Sequence, residues 1–230
     1  MTMKTALIVG VGSGLSASLA RLFARNGIQV AMASREPAKL QALAAETAGV
    51  TFACEATEPE EVAALFDVVL ATQGIPDIVV YNAGARAHGP VTDLDPAAVA
   101  NAIAVSAYGG FLVAQQAARH MLPRGSGAIL LTGASASVKG YPNSSAFAMG
   151  KFALRGLASS LARELSPKGI HVAHFVIDGG IRNATRRDQP DNPDSTLDPD
   201  AIAETYWQVA NQPRSAWTWE VELRPWVEKF

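Results

Sequence analysis

Closely spaced glycines, Gly10-Val11-Gly12-Ser13-Gly14, follow directly on a short apolar run at residues 5–9, and Leu15, Leu19, Leu22 and Phe23 then recur at helical spacing. A strand that bends through glycine into a helix aims unpaired backbone N–H groups and the positive end of the helix dipole at one point. Without bulky side chains, that point can receive a dinucleotide's diphosphate. Gly10, Gly12, Ser13, Gly14 and Leu15 are the residues expected around it.

In sites of this kind a residue about 20 positions further on reads the adenosine ribose: an acid holds a free 2′-hydroxyl, whereas an arginine accommodates a 2′-phosphate. Here that place holds Ser34-Arg35. The planar, permanently charged fork of a guanidinium suits a phosphate, so NADP(H) is expected rather than NAD(H). Glu36 offers the rival reading, in which an inward carboxylate would hold a diol and select NAD(H).

Lys151 stands among Ala146, Ala148, Met149 and Gly150, a setting too small and apolar for a solvated lysine. His171 and His174 are three apart on an apolar strand and so face opposite sides, while His88 and His120 lack Cys or carboxylate partners at ligand spacing, so no metal site is expected. No nucleophile elbow follows a strand, because Ser13 belongs to the glycine turn.

The elements that must position these residues alternate along the chain. Strands are expected at residues 5–9, 28–33, 50–54, 78–81, 128–131 and 171–177, with helices at 15–25, 37–48, 59–71, 96–121, 146–165 and 200–210. Trp217, Trp219, Val221 and Leu223 alternate with polar residues, the pattern of a half-buried strand at the sheet edge. Such alternation implies an α/β fold, a doubly wound, mostly parallel seven-stranded sheet with helices on both faces. A single domain over residues 1–230 is expected, with residues 186–200 either an ordered loop over a site or a mobile lid.

The chain has 19 Lys and Arg against 21 Asp and Glu, a formal net charge of -2, and no dense basic run, so neither nucleic acid nor an anionic membrane is the expected partner. Arg182, Arg186 and Arg187 read as a solvated loop group. One cysteine, Cys54, excludes an internal disulfide, and the first apolar run is broken too early for a signal segment, which fits a cytoplasmic protein. Charged, Gly or Pro residues interrupt every apolar stretch, so no membrane span is expected.

Taken together, Gly10-x3-Gly14-x-Ser16, Tyr81-Asn82-Ala83-Gly84 after the fourth strand, and Lys151 on the helix after the fifth resemble the short-chain dehydrogenase/reductase family over about residues 4–184. The resemblance implies that Asn82, Ala83 and Gly84 line the nicotinamide-ribose side. It also implies that Glu55 and Ala56 stand beside the adenine, that Asp178, Gly179 and Ile181 line the nicotinamide end, and that Lys151 grips the ribose. Ser16 replaces the last glycine of the family's turn. A homodimer or homotetramer built through the two long helices is implied as well, as is a small-molecule substrate, while the divergent residues 185–230 would set which one.

The resemblance fails at the catalytic set. The family's Asn, Ser, Tyr and Lys fall here on Ser106, Ala134, Phe147 and Lys151, so only the lysine is retained. Phenylalanine has no proton to give, and an alanine methyl polarises no carbonyl. Ser135, Ser137 and Tyr141 lie close enough in sequence to substitute. The expected activity is NADP(H)-dependent hydride transfer to a carbonyl, imine or related acceptor, with the proton coming from Tyr141, Ser135 or water; the alternative is an inactive NADP(H)-binding sensor or partner subunit.

Overall fold

The structure, a computed structural model, describes residues 3–228. The strands are β1 (Thr5–Val9), β2 (Gln29–Ser34), β3 (Val50–Ala53), β4 (Ile78–Tyr81), β5 (Gly127–Thr132), β6 (Ile170–Ile177) and β7 (Glu220–Leu223). The helices are α1 (Leu15–Arg25), α2 (Gln41–Thr47), α3 (Pro59–Gln73), α4 (Pro96–Ile103), α5 (Gly109–Met121), α6 (Ser145–Leu165) and α7 (Pro199–Ala210). The strand order is β3-β2-β1-β4-β5-β6-β7, and every pairing is parallel, including β6 with β7.

Alternation along each buried strand feeds two cores. Ala6, Ile8, Met32, Val80, Leu130 and Phe175 face α1, α2 and α7, and their neighbours Leu7, Val9, Ala31, Tyr81, Leu131 and Val172 face α3, α5 and α6. The chain works outward from β1 to β3 and then returns to place β4 on the other side of β1. At this switch point the two connecting loops diverge, leaving a crevice at the carboxyl ends of β1 and β4.

Three details differ from the sequence reading. The edge strand begins at Glu220, because Trp217 leaves the ladder to stack on His171 with ring centroids 4.6 Å apart. The expected helix 96–121 is continuous but contains a π-helical turn at Ala104–Tyr108. Together with its last turn it runs for 29 residues, Pro96–Arg124, and by length and composition it could cross a bilayer, contrary to the expectation that no stretch could. In this fold the same apolar composition covers the sheet: the run is the crossover between β4 and β5, and its inner side packs against α3 and α6.

Candidate functional site

The glycine turn is shaped by close backbone packing. Gly10 has φ +87°, a region open to glycine, and a Cβ there would collide with the backbone of Ala83. The N–H groups of Gly10 and Val11 both donate to the Ala33 carbonyl at 3.0 Å, which folds the turn back over β2. Gly14 caps α1 without a side chain, and Cβ atoms at Gly12 or Gly14 would meet nothing within 4 Å. The uncapped first turn of α1 thus borders an open trough.

Ser16 is buried, and its hydroxyl donates to the Gly10 carbonyl at 3.1 Å while accepting from the Asn82 amide at 2.6 Å. The residue that departs from the family's glycine therefore ties the turn to the loop after β4.

One end of the trough is a cavity of about 420 Å³ between Ser34, Arg35, Glu36 and Lys39 on one side and Cys54, Glu55 and Ala56 on the other, floored by Gly10, Gly12 and Ser13. Glu36 is engaged by Lys39 at 2.7 Å, and that hydrogen bond holds its carboxyl below the usual carboxylate range. Arg35 makes no ion pair among the described residues. The Ser34 hydroxyl is buried without a hydrogen-bond partner among them. Glu55 turns its carboxylate back onto the Thr57 hydroxyl at 3.1 Å, and burial pushes the Cys54 thiol up to about 11, which keeps it protonated.

The other end is a cavity of about 570 Å³ that shares Gly10, Gly12, Asn82, Ala83 and Gly84 with the first, so the two form one continuous trough. Leu15, Ser135, Phe147, Lys151, Gly179 and Ile181 also line it, as do Arg86, Thr132, Gly133, Ala134, Asn183 and Arg186. Lys151 is buried on α6 and donates to the Thr132 carbonyl at 2.7 Å. Burial, and secondly the charge of Arg86, pulls its ammonium down to about 8.

The positions expected to carry proton chemistry are distributed unevenly. Phe147 faces the cavity with Lys151 Nζ 6.0 Å from its ring centroid, and Ala134 is also in the wall. Ser106 sits in the π-helical turn, fully buried, its hydroxyl without a partner among the described residues. The turn brings Ser106 against Gly150, where a Cβ would meet the serine's own Cβ at 2.7 Å. Tyr81 anchors the same turn through its hydroxyl, which donates to the Val105 carbonyl.

Ser135 lines the cavity, whereas the neighbouring Ser137 hydroxyl accepts from the Ala134 N–H at 3.1 Å. Tyr141 is 42% exposed and lies outside both cavity walls, with Lys139 5.7 Å from its ring centroid. Asp178 is buried but turns its carboxylate to Lys139 at 3.2 Å and Arg224 at 3.3 Å, leaving Gly179 and Ile181 to line the trough.

Among the lining residues that sequence reasoning missed are two cations. Arg86 follows the Asn82-Ala83-Gly84 segment and lays its guanidinium over Phe147, 4.2 Å from the ring centroid. Arg186, expected in a solvated loop, packs against Gly180 and joins the cavity wall, while Arg182 pairs with Asp188 and Asp198. The loop at 186–200 is cross-braced: the Thr196 N–H donates to Asp188 and the Gln189 N–H to the Ser195 hydroxyl, each at 2.8 Å.

A family model described as short chain dehydrogenase matches residues 4–194. A short-chain dehydrogenase from Rhodopseudomonas palustris superposes with a TM-score of 0.84 at 35% identity, covering 97% of this chain and 99% of that one. A metagenomic short-chain oxidoreductase in complex with NADP gives a TM-score of 0.83 at 27% identity, over 96% and 97% of the two chains. D-threitol dehydrogenase of Mycolicibacterium smegmatis is 30% identical over 174 residues, 74% of this chain and 67% of that protein. The chain spans 64% of the (21S)-21-acetoxyl-apo-melianone synthase of Melia azedarach, which is 34% identical over 173 residues, or 74% of this chain.

Proposed function

This chain belongs to the short-chain dehydrogenase family, an oxidoreductase family, and on that premise we propose that it is an NADP(H)-dependent oxidoreductase that reduces a carbonyl, imine or related acceptor with Lys151 as its proton source. The supporting observation is the continuous trough, which runs from an unpaired Arg35, past uncapped helix amides, to a buried lysine. Gly12 and Gly14 leave space for a diphosphate, the first turn of α1 offers it N–H groups, and Arg35, in the wall of the same cavity, would meet a 2′-phosphate. Bound there, the dinucleotide would supply a hydride to the acceptor carbon.

The chain must then hold the acceptor and provide a proton to the oxygen or nitrogen that receives the displaced electron pair. In the wall at that end Lys151, its pKa pulled down to about 8 by burial, is the group proposed to exchange a proton near neutrality. Ser135, in the wall of the same cavity, is the residue proposed to orient the acceptor. General acid help is typically worth ~10²–10⁴-fold, so a catalyst lacking a phenol here would be slow, while alignment of the reactants retains a large rate advantage.

Phe147 and Ala134 favour one further reading, a cofactor-binding sensor or partner subunit without turnover. Turnover of NADPH with a panel of carbonyl, imine and conjugated-alkene acceptors separates the two. Activity that falls with Lys151→Met supports the oxidoreductase; tight NADPH binding without turnover across the panel supports the sensor. Assembly through α5 and α6 fits either reading, since Phe111, Met149 and Phe152 expose apolar surface there.

A further inference from the structure

The Lys151 end of the trough has an unbalanced charge. Arg86, Lys151 and Arg186 line it, and among the described residues no Asp or Glu does. Neither Arg86 nor Arg186 pairs with a carboxylate among the described residues. The three cations feel one another: Arg186 lowers the proton affinity of Arg86 after burial does, and Arg86 does the same to Lys151. Cations held together without a counter-charge constitute a site that an anion would relieve.

Of the anionic groups of the cofactor proposed above, the 2′-phosphate is assigned to Arg35 at the far end and only the diphosphate comes near this one, which leaves more cations here than the cofactor would neutralise. Arg186 lies against Gly180, between Gly179 and Ile181, which line the same cavity as Gly10, Gly12 and Gly14 of the glycine turn. Arg86 lies elsewhere, on the face of Phe147, the side chain that occupies the place expected for the proton-donating phenol. Its guanidinium therefore sits where the acceptor must dock, and its aromatic partner fixes the plane of its fork.

We propose that Arg86 is a specificity-determining residue that binds the carboxylate of the acceptor, and that the substrate is a short oxo acid or the corresponding imino acid. This rests on the oxidoreductase reading of the same site. Because Arg86 stacks on Phe147, the carboxylate and the reducible carbon must be close neighbours in the acceptor. In the reaction the carboxylate is unchanged. The C=O or C=N carbon gains hydride from NADPH with its electron pair, the oxygen or nitrogen gains a proton, and NADP⁺ is released. A hydrogen-bonded arginine–carboxylate pair also orients the acceptor, which compensates in part for the missing serine and tyrosine.

The test is calorimetric titration of the NADPH-loaded protein with oxamate, a non-reducible oxo-acid mimic, and with oxamide, its neutral counterpart. Oxamate is expected to bind about tenfold or more tightly than oxamide. Arg86→Gln should erase that preference, and Arg86→Lys should restore part of it. Equal binding of oxamate and oxamide, tighter binding of inorganic phosphate than of oxamate, or an unchanged preference in Arg86→Gln would each overturn the assignment. If NADPH binds and neutral carbonyls are reduced without a carboxylate preference, this inference alone fails. If NADPH does not bind, the oxidoreductase reading fails and takes this one with it.

Discussion

The Lys151 ammonium donates to the Thr132 carbonyl at 2.7 Å, so β5 fixes a group whose pKa, about 8, lies near neutral pH. One of its N–H bonds is committed, and the others remain for cofactor or acceptor. With its pKa pulled down to about 8 by burial, the group is protonated below that value and neutral above it. Reduction should therefore be fastest below about pH 8 and decline as pH rises through it. Lys151→Met should cost on the order of 10²–10⁴-fold in kcat. A pH–rate profile that stays flat through pH 9 would remove the lysine from the proton role.

Arg35 borders the cavity with no counter-ion among the described residues, while its neighbour Glu36 is occupied by Lys39. Arg35→Ala should raise the dissociation constant for NADPH by roughly tenfold, the scale of one charge-assisted contact, and leave NADH binding nearly unchanged. Fluorescence titration with both dinucleotides decides this. Equal wild-type affinities would refute the preference.

Asn82 and Ser16 share a 2.6 Å hydrogen bond that joins the loop after β4 to the glycine turn. Asn82→Ala leaves the buried serine hydroxyl short of a partner and should cost about 1–2 kcal/mol of stability. Urea unfolding would read that loss directly, and NADPH affinity should weaken with it. An unchanged midpoint would mean the two loops are held by packing alone.

Phe147→Tyr combined with Ala134→Ser would restore a phenol one helical turn from Lys151 and a hydroxyl across from it. The double variant should reduce simple carbonyl acceptors at least tenfold faster than wild type, as steady-state rates with NADPH would reveal. If the double variant gains nothing, the backbone around the cavity is not arranged for that chemistry.

His174 is fully buried between Gly133 and β7, where its Nδ1–H donates to Glu220 at 3.1 Å. Burial pulls its pKa from 6.5 to about 4, so the folded protein keeps it neutral where the unfolded chain would already be protonated. Between those values the unfolded state binds more protons, and stability is lost as pH falls from about 6.5 to about 4, by up to about 3 kcal/mol. Urea unfolding at pH 7 and pH 4.5 should record the difference, and His174→Gln should flatten it.

The fold could be read from the sequence because its signals are local: runs of Val, Ile and Leu alternate with amphipathic stretches, and the glycine turn lies between the first two. The lining of the trough by Gly12, Arg35, Asn82 and Lys151 was legible for the same reason, since each follows a strand or lies on a helix of fixed register. Arg86 and Arg186 were not, because they reach the cavity from irregular loops whose path no periodicity encodes. Tyr141 and Asp178 failed in the opposite sense: near in sequence, they are drawn to Lys139, and Asp178 also to Arg224, by charge and hydrogen bonding that appear only once the loops have folded. The start of β7 moved because an indole prefers the flat face of His171 to a place in the ladder.

The absence of a side chain at Gly10 lets two loops touch backbone to backbone, and the contact gives the trough a stiff keel. Neither loop can swing towards the other without a collision of backbones. Residues 183–197, which reach the trough through Asn183 and Arg186, are held instead by side-chain hydrogen bonds that can break one at a time. Shortening or crosslinking that segment should slow exchange of bound molecules more than it changes how tightly they are held.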